Sequence, residues 1–569
     1  MTTTAHNLDI IWPRLISITD EVATSLIRSA FSHDVVEVHD MSVGVFDHTG
    51  RMLAQTPLGA TGHTMPMSAV MKVVLEQVNR DEIRPGDVFV TNDPWIQSGH
   101  TADVYTLTPI FSKHNLFGFL VNTVHHLDIG GRAGSGLSEE VYEEGLILPI
   151  LKLQEEGKLN ETLFKIFARN FRFSEKVIGD FRAQIAAGQM GSERVLALQR
   201  EFGLSSLISV GDEIVGRSEK KMRDGIRSLG QGSHHMDFPI EVFDDNRKPL
   251  TLSLTMEVIG DEIHADFSGT SAQIRSPINC PYNFTTTYVI APTKMVCSPD
   301  TPNNEGTFRP FRFKIPEGSL VNPTFPAAVY WRLTTGHIVA DMSYLLLGQF
   351  SNEKSLSGSG TLPTWYFHTS GVRTNGEMFM VHQHGFGGMG GRPGRDGLNT
   401  VGFPYTVRNV PIEEVESEVP LLFLGRRFIP DSGGAGQWRG GLSEELKFTG
   451  VPGGDIDPSK PITVSGAGGR LTYPALGVDG GKPGSRAEIY VNESPLDNRT
   501  WEGSGSVEFK VNISDTVTMR FPGGGGMGSP KDRDQDLIAK DLLDGNITTT
   551  SAEQDYGWLP KPTVPSDQG

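Results

Sequence analysis

The spacing of apolar residues marks out the first elements of the chain. Ile11, Leu15, Ile18, Val22 and Leu26 recur at helical intervals, so a helix is expected from about Pro13 to Ala30, with the proline in the first turn, where its missing N–H has no intrahelical acceptor. Val43 to Ala54 alternates around Asp47 to Gly50 and reads as a hairpin, Met67 to Val78 has a helical pattern, and Asp87 to Thr91 reads as a strand. Two more strand-like runs follow, Ala102 to Phe111 and Phe117 to His126. Past Gly131 the pattern turns helical, through ETLFKIFARN, EKVIGDFRAQIAAGQMGSERVLALQREF and DEIVGRSEKKMRDGIRSL, with Gly and Ser breaks between them and an end near Gly232. Short β-branched runs then dominate. PLTLSLTMEVIGDEIHADFSG alternates on both sides of Gly260-Asp261, a hairpin signal, and a helix is expected near Thr334 to Gly348.

These patterns describe a multi-domain α+β chain. An N-terminal α+β domain is expected over 1–131, a helical subdomain over 132–232, a large β-rich and glycine-rich domain over 233–530, and a C-terminal segment over 531–569 whose last residues, WLPKPTVPSDQG, read as a mobile tail. A length of 569 residues exceeds what one hydrophobic core holds, which fits two to four domains. The net charge of −18, with no basic stripe, argues against nucleic acid, because phosphate binding needs clustered Lys and Arg. MTTTAHNLDIIWPRL lacks a basic segment followed by an apolar one, and no apolar run reaches about 18 residues, so neither export nor a membrane span is expected and the chain reads as cytoplasmic. Cys280 and Cys297 form no C-x-x-C pair and suit a reducing compartment; both read as structural.

The glycine loops resemble nucleotide motifs only superficially. Gly385 to Gly390 matches G-x-G-x-x-G, but Arg392-Pro393-Gly394 follows where a Rossmann helix should start, and neither a G-x-x-x-x-G-K-[ST] loop nor a G-x-S-x-G elbow occurs. GGMGGRPGRDG, PDSGGAGQWRGG and PGGGGMG read instead as turns with close backbone approach, whose amides remain candidates for an anion.

Candidate chemistry concentrates near the amino end. Nine of the sixteen histidines lie in the first 126 residues, where an even spread would put about three or four, and NDPWIQSGHTADV and VNTVHHLDIGG bring His100, Asp103, His125 and His126 within a short span. Side chains alternate along a strand, so His125 shares a face with Phe117, Phe119 and Val121 while His126 shares the other with Leu120 and Val124, and only one of them can aim at a given site. On a regular strand the H-x-x-D pair would face apart, so both bind one ion only if they sit on a turn. Two imidazoles and a carboxylate suit Zn, Mn or Fe; the bland alternative is a set of satisfied polar residues at strand ends. Two imidazoles and a carboxylate also make the facial triad of iron oxygenases, but the H-x-x-D spacing is not the tighter one of cupin-like oxygenases. Asp93, in a turn that leads to this stretch, is either a turn residue or an acceptor that orients a ligand imidazole.

In order, NDPWIQSGHTADV, VHHLDIGGRAGSG, EEGLILPILKL, FRAQIAAGQMG, PNNEGTFRPF, GGRPGRDG, PDSGGAGQWRGG and PGGGGMGSPKDRD resemble the hydantoinase B/5-oxoprolinase family, which includes subunits of acetone and acetophenone carboxylases. The resemblance covers nearly the whole chain. It implies the metal-binding subunit of an ATP-dependent hydrolase of cyclic amides, with one divalent transition metal, Mn or Zn and with Fe as a further candidate, held by Asp40, His100, Asp103 and His125. Asp40 enters through HDMSVGVFD, and His63 through GHTMPMSA as a group near the ligands, a proton donor or a fold element. His126, His63 and Asp93 are the further catalytic candidates, His126 for packing or proton traffic. The resemblance also implies a partner, an actin-like ATPase of the hydantoinase A type that holds ATP and Mg, in an α2β2 heterotetramer acting on a small cyclic amide. Ketone carboxylation and a non-catalytic scaffold are the alternatives.

Overall fold

The computed structural model describes residues 5–559 apart from 133, 135, 244–247, 498–500 and 502–504; most of the expected mobile tail lies outside the described residues. A seven-stranded antiparallel sheet in the order β2-β1-β5-β4-β3-β6-β7 opens the chain, built from β1 (Met41–Asp47), β2 (Met52–Gln55), β3 (Val88–Thr91), β4 (Asp103–Ser112), β5 (Asn115–His125), β6 (Leu151–Glu155) and β7 (Lys158–Leu159). The stretch after Gly131 therefore first returns two strands to this sheet, before its helices begin. Helix α1 (Ala5–Ser29) and the longer helices α5 (Ser174–Phe202) and α6 (Ile208–Arg227) bury Leu15, Val22, Val43, Leu120, Val124, Ala187 and Ile214 together on one face. Helix α3 (Thr64–Gln77) covers the other, with Met67, Val70 and Val74 against Phe46, Phe119 and Val121. Phe117 departs from the alternation read in the sequence: the β4–β5 register shifts at Ile110/Phe111, and its ring packs on the α1 side.

The first helix begins eight residues before Pro13, so the proline is interior. Burying Leu8 and Ile11, each 2% exposed, contributes about 1.5–3 kcal/mol apiece, enough to offset the roughly 3 kcal/mol that an interior proline costs.

The second part of the chain contributes three more sheets. A four-stranded sheet contains β8 (Gly232–Phe243), β9 (Pro249–Ile259) and β10 (Glu262–Asp266), the last two forming the expected hairpin, with β11 (Phe311–Lys314) parallel to β10. It packs with α7 (Tyr282–Cys297), whose β-branched sequence gives little helical signal, and with α8 (Leu333–Phe350), which is apolar nearly all round and almost wholly buried. A third sheet, in the order β13-β12-β16-β19, pairs β12 (Trp365–Val372) with β13 (Met378–Gly385) and, on its other side, β16 (Ile462–Ala467) and β19 (Ser506–Val511). A five-stranded sheet, 421–428 to 516–520, completes the β-rich part.

The glycine runs depart from the reading as turns. Segments 357–360, 387–391, 433–441 and 475–484 run alongside 522–528 and hydrogen-bond to one another, as in Gly388 N to Pro522 O (3.0 Å), Gly391 N to Gly525 O (2.9 Å), Gly434 N to Gly524 O (2.8 Å) and Gly524 N to Gly441 O (3.0 Å). A Cβ at Gly388, Gly441 or Gly524 would run into another segment's backbone. These amides are spent inside the bundle, which removes them as anion ligands.

Candidate metal centre

Strand register assembles the site. Asp103 opens β4 directly opposite His125, which closes β5, while Met41, the first residue of β1, pairs with Val124. Three strand ends thus meet, and directly opposed residues on neighbouring strands stand within about 4.5–5.5 Å at Cβ. Asp40 reaches the cluster from the turn before β1: His39 has a left-handed backbone (φ +60°), Asp40 N donates to Asp34 O (2.8 Å), and His125 N donates to Asp40 O (3.0 Å). His100 arrives on a loop knitted by Asn92, whose Nδ2 donates to Thr101 O (2.7 Å), and by Gln97, whose Nε2 donates to Asn92 O (3.0 Å) and to His100 O. Gly99, at φ +90°, lets that loop press on its neighbours; a Cβ there would stand 3.1 Å from Pro281 Cδ and 3.2 Å from Arg332 Cδ.

Asp103, almost fully buried, is the hub. Its Oδ1 lies 2.8 Å from His100 Nε2 and 3.1 Å from His125 Nδ1; its Oδ2 lies 3.1 Å from His63 Nε2 and 3.1 Å from Arg332 Nη2, and accepts from Ser98 Oγ. Asp40 Oδ1 and Oδ2 stand 3.7 Å from His63 Nε2 and 3.9 Å from His125 Nδ1. The structure thus brings together Asp40, His63, His100, Asp103 and His125. His126 faces away, its Nε2 3.1 Å from Gln184 Oε1 of α5 and its ring 4.5 Å from that of Phe181. Asp93 closes its own turn: Trp95 N donates to its Oδ1 (3.0 Å), an Asx turn, and among the described residues no imidazole hydrogen-bonds to it.

Burial opposes charge on Asp103, yet the His100 and His63 rings and the hydrogen bonds around it hold the carboxyl well below the ordinary range. Burial raises Asp40. Burial also pulls His63 and His125 down, but Asp103 and Asp40 beside them outweigh it and both end raised. His100 is different: burial, reinforced by the Arg332 guanidinium, drives it down to about 3.

The donor set fits a divalent transition cation. Neither ring nitrogen of the buried His100 makes a hydrogen bond, although Nε2 stands 2.8 Å from a carboxylate oxygen. Buried polar atoms normally find partners, and donors about 3 Å apart without pairing are what ligand atoms some 2.0–2.2 Å from one cation require. Ligand atoms of His100, Asp103 and His125 lie within 4.8 Å of one another, and those of Asp34, His125 and His382 do the same. The first set opens onto a cavity of about 70 Å³, walled by Asp40, Phe284, Tyr288, Tyr330, Tyr366 and Tyr405. A larger cleft of about 340 Å³ between α3 and α7 contains Lys294 and Asp300 but no imidazole among its lining residues.

Several participants carry no local sequence signal. Arg332, just before α8, donates from Nε to Ser98 O (2.6 Å) and lies 4.3 Å from the Phe284 ring. Glu144, pushed by burial to about 8, accepts from Val329 N and Tyr330 N (both 2.9 Å) and so fixes the segment that bears Tyr330 and Arg332. Tyr366 and His368 on β12 pair with His384 and His382 on β13, putting a tyrosine and three imidazoles on one sheet face against the N-terminal cluster. The two-residue spacing of Tyr366/His368 and of His382/His384 was the available clue. Cys280 and Cys297 are unpaired, and burial pushes their thiols to about 12 and about 11, which suits structural roles.

Comparison with known proteins agrees with this organisation. A family model described as Hydantoinase B/oxoprolinase matches residues 5–530. The chain is 30% identical to the B-type subunit of a putative D-/L-hydantoinase from Pseudomonas sp. strain NS671, over 94% of this chain and 92% of that protein, and 27% identical to the beta subunit of the caprolactamase of Pseudomonas jessenii, over 94% and 93%. A solved acetone carboxylase in its nucleotide-free state has the same fold, with a TM-score of 0.85 at 19% identity, covering 97% of this chain and 79% of that one. Among the described residues no helix is long and apolar enough to cross a membrane.

Proposed function

Because the chain belongs to the hydantoinase B/oxoprolinase family, we propose that it is the metal-bearing subunit of an ATP-dependent hydrolase of cyclic amides, active with a partner ATPase. Asp40, His100, Asp103 and His125 would hold one divalent transition cation, Mn or Zn with Fe as a further candidate, with His63 bracing Asp103 from behind. The observation that carries this reading is the buried His100, neither of whose ring nitrogens makes a hydrogen bond although Nε2 stands 2.8 Å from Asp103 Oδ1. A cation bound there would supply Lewis acidity and bring the pKa of water from about 15.7 toward about 7.

The chain's own groups frame that chemistry. Arg332 and Ser98 hold Asp103 in place, Phe284, Tyr330 and Tyr405 wall the small cavity, and His63 stands between the two carboxylates, placed to hold or pass a proton. His126 supports packing against α5. Unstrained cyclic amides resist hydrolysis, and phosphorylation of the carbonyl oxygen turns it into a leaving group. This sequence has no P-loop, so ATP and Mg belong on an actin-like partner of the hydantoinase A type; the naming of the hydantoinase relative as one subunit among others supports a partner, and we propose a cytoplasmic α2β2 assembly.

The test is co-expression with the partner and measurement of ATP-dependent phosphate release and ring opening across hydantoins, lactams and ketones. His100→Ala should lose metal and ring opening while ATPase activity persists at least in part; full turnover by metal-free protein would overturn the proposal. The fold shared with acetone carboxylase supports a second reading, and carboxylation of a ketone in the same panel would select it. A chain that carries no stoichiometric metal would select the scaffold instead.

A further inference from the structure

The nitrogen of His125 that faces away from Asp103 meets the other half of the chain. His125 Nε2 lies 3.2 Å from the Tyr366 hydroxyl on β12, its one hydrogen-bond partner among the described residues. The same hydroxyl stands 2.7 Å from His382 Nδ1 on β13, and that nitrogen is 3.0 Å from Asp34 Oδ1 in the turn of helix before β1. All four side chains are buried, and the contacts join residues 241 and 348 positions apart.

We propose that Tyr366 is a positioning residue for His125, one that fixes the ring so that Nδ1 stays aimed at Asp103 and Asp40 whether or not a cation is bound. This rests on the reading of Asp40, His100, Asp103 and His125 as the metal site. A ligating histidine passes its second N–H to an acceptor, and the loss of that acceptor weakens the site. Here the acceptor is a hydroxyl, and a hydroxyl can reverse roles. With Nδ1 on a cation, Nε2 carries the hydrogen and Tyr366 Oη accepts it. With the site empty, Nδ1–H donates to Asp103 and Tyr366 O–H donates to Nε2. A carboxylate could serve only the first state and an ammonium only the second. His382 Nδ1 keeps the phenol from swinging away in both states, accepting the phenol O–H in the first and carrying the hydrogen that it shares with Asp34 in the second, and His384 stacks on the tyrosine ring at 4.6 Å.

The test uses the full chain, stripped and titrated with Co²⁺ alone against a chromophoric chelator, with the visible spectrum of the bound ion recorded. Tyr366→Phe keeps the ring and removes the hydroxyl; it should bind Co²⁺ about 10- to 100-fold more weakly, with a shifted spectrum, while the stripped protein, though it loses two buried hydrogen bonds, still unfolds cooperatively. Asp34→Asn, one link further away, should weaken binding less. A Phe variant with an unchanged spectrum and an affinity within about twofold of wild type would overturn the role of Tyr366 and leave the metal site standing. If the Phe variant fails to fold, unchanged affinity and spectrum in Asp34→Asn overturn it. A wild-type chain that binds no Co²⁺ would overturn the site reading, and this role with it.

Discussion

Asp103→Asn in the metal-stripped chain separates two opposed effects. Removing one carboxylate charge relieves its repulsion of Asp40, whose own carboxyl is raised partly by Asp103. It also strips Arg332, about as buried as Asp103, of the carboxylate that stands 3.1 Å from its Nη2. At that distance and an effective dielectric near 20 the attraction is about 5 kcal/mol, and breaking one side of a buried pair costs about 3–5 kcal/mol because the remaining charge stays desolvated. Arg332 keeps its hydrogen bond to the Ser98 carbonyl and its contact with the Phe284 face, neither of which is anionic. The second effect therefore wins, and Asp103→Asn should destabilise the stripped protein by about 3–5 kcal/mol in urea unfolding followed by tryptophan fluorescence. Arg332→Met removes the orphaned charge, so the double variant should lose less than the two single losses combined, by about 0.5–3 kcal/mol. Strict additivity, or an Asp103→Asn protein as stable as wild type, would refute the role assigned to the pair.

Other expectations follow from the same geometry. Pro13→Ala should stabilise the chain by up to about 3 kcal/mol, read as a higher urea midpoint, because the exposed proline interrupts α1 without packing inward. His33 Nε2 lies 2.7 Å from Glu418 Oε2, a contact that raises His33 and, with Lys176, holds Glu418 at about 2. The His33 contribution is complete below about 6.5 and fades as pH climbs through its raised value, whereas that of Glu418 is complete above about 4.5 and fades as pH falls through about 2, so Glu418→Gln should cost more stability at pH 6 than at pH 9. Gly441→Ala should leave little soluble protein, since its Cβ would meet the backbone of Leu398 and that of Met389 in the glycine bundle.

The N-terminal half of the site was legible because its parts lie at strand ends that the sequence itself marks. Gly99 before His100, Asp103 at the start of an alternating run and His125 at the end of another were enough to anticipate that they meet, and alternation separated His125 from His126. Asp40 needed the family blocks, since one aspartate before a strand resembles any turn residue. Asp93 shows the limit from the other side, an acidic residue in the right loop whose carboxylate closes its own turn. Tyr366 and His382 offered only the two-residue spacing on their strands, and Arg332 offered nothing, because their contacts span hundreds of residues and depend on which face of one sheet meets the edge of another. The glycine runs failed for a related reason: composition gives close backbone approach, but which segments share hydrogen bonds is a property of the assembled bundle. Helix α7 was hidden by its threonines and valines, whose strand preference yields to burial against α8.

Metal analysis of the purified chain, joined to anomalous diffraction at the edge of the metal found, tests the central claim most directly. The account requires one equivalent of a divalent transition metal per chain and a single anomalous peak enclosed by Asp40, His100, Asp103 and His125, both absent in His100→Ala. A wild-type chain with no stoichiometric metal, or a peak seated instead among Asp34, Tyr366 and His382, would contradict it.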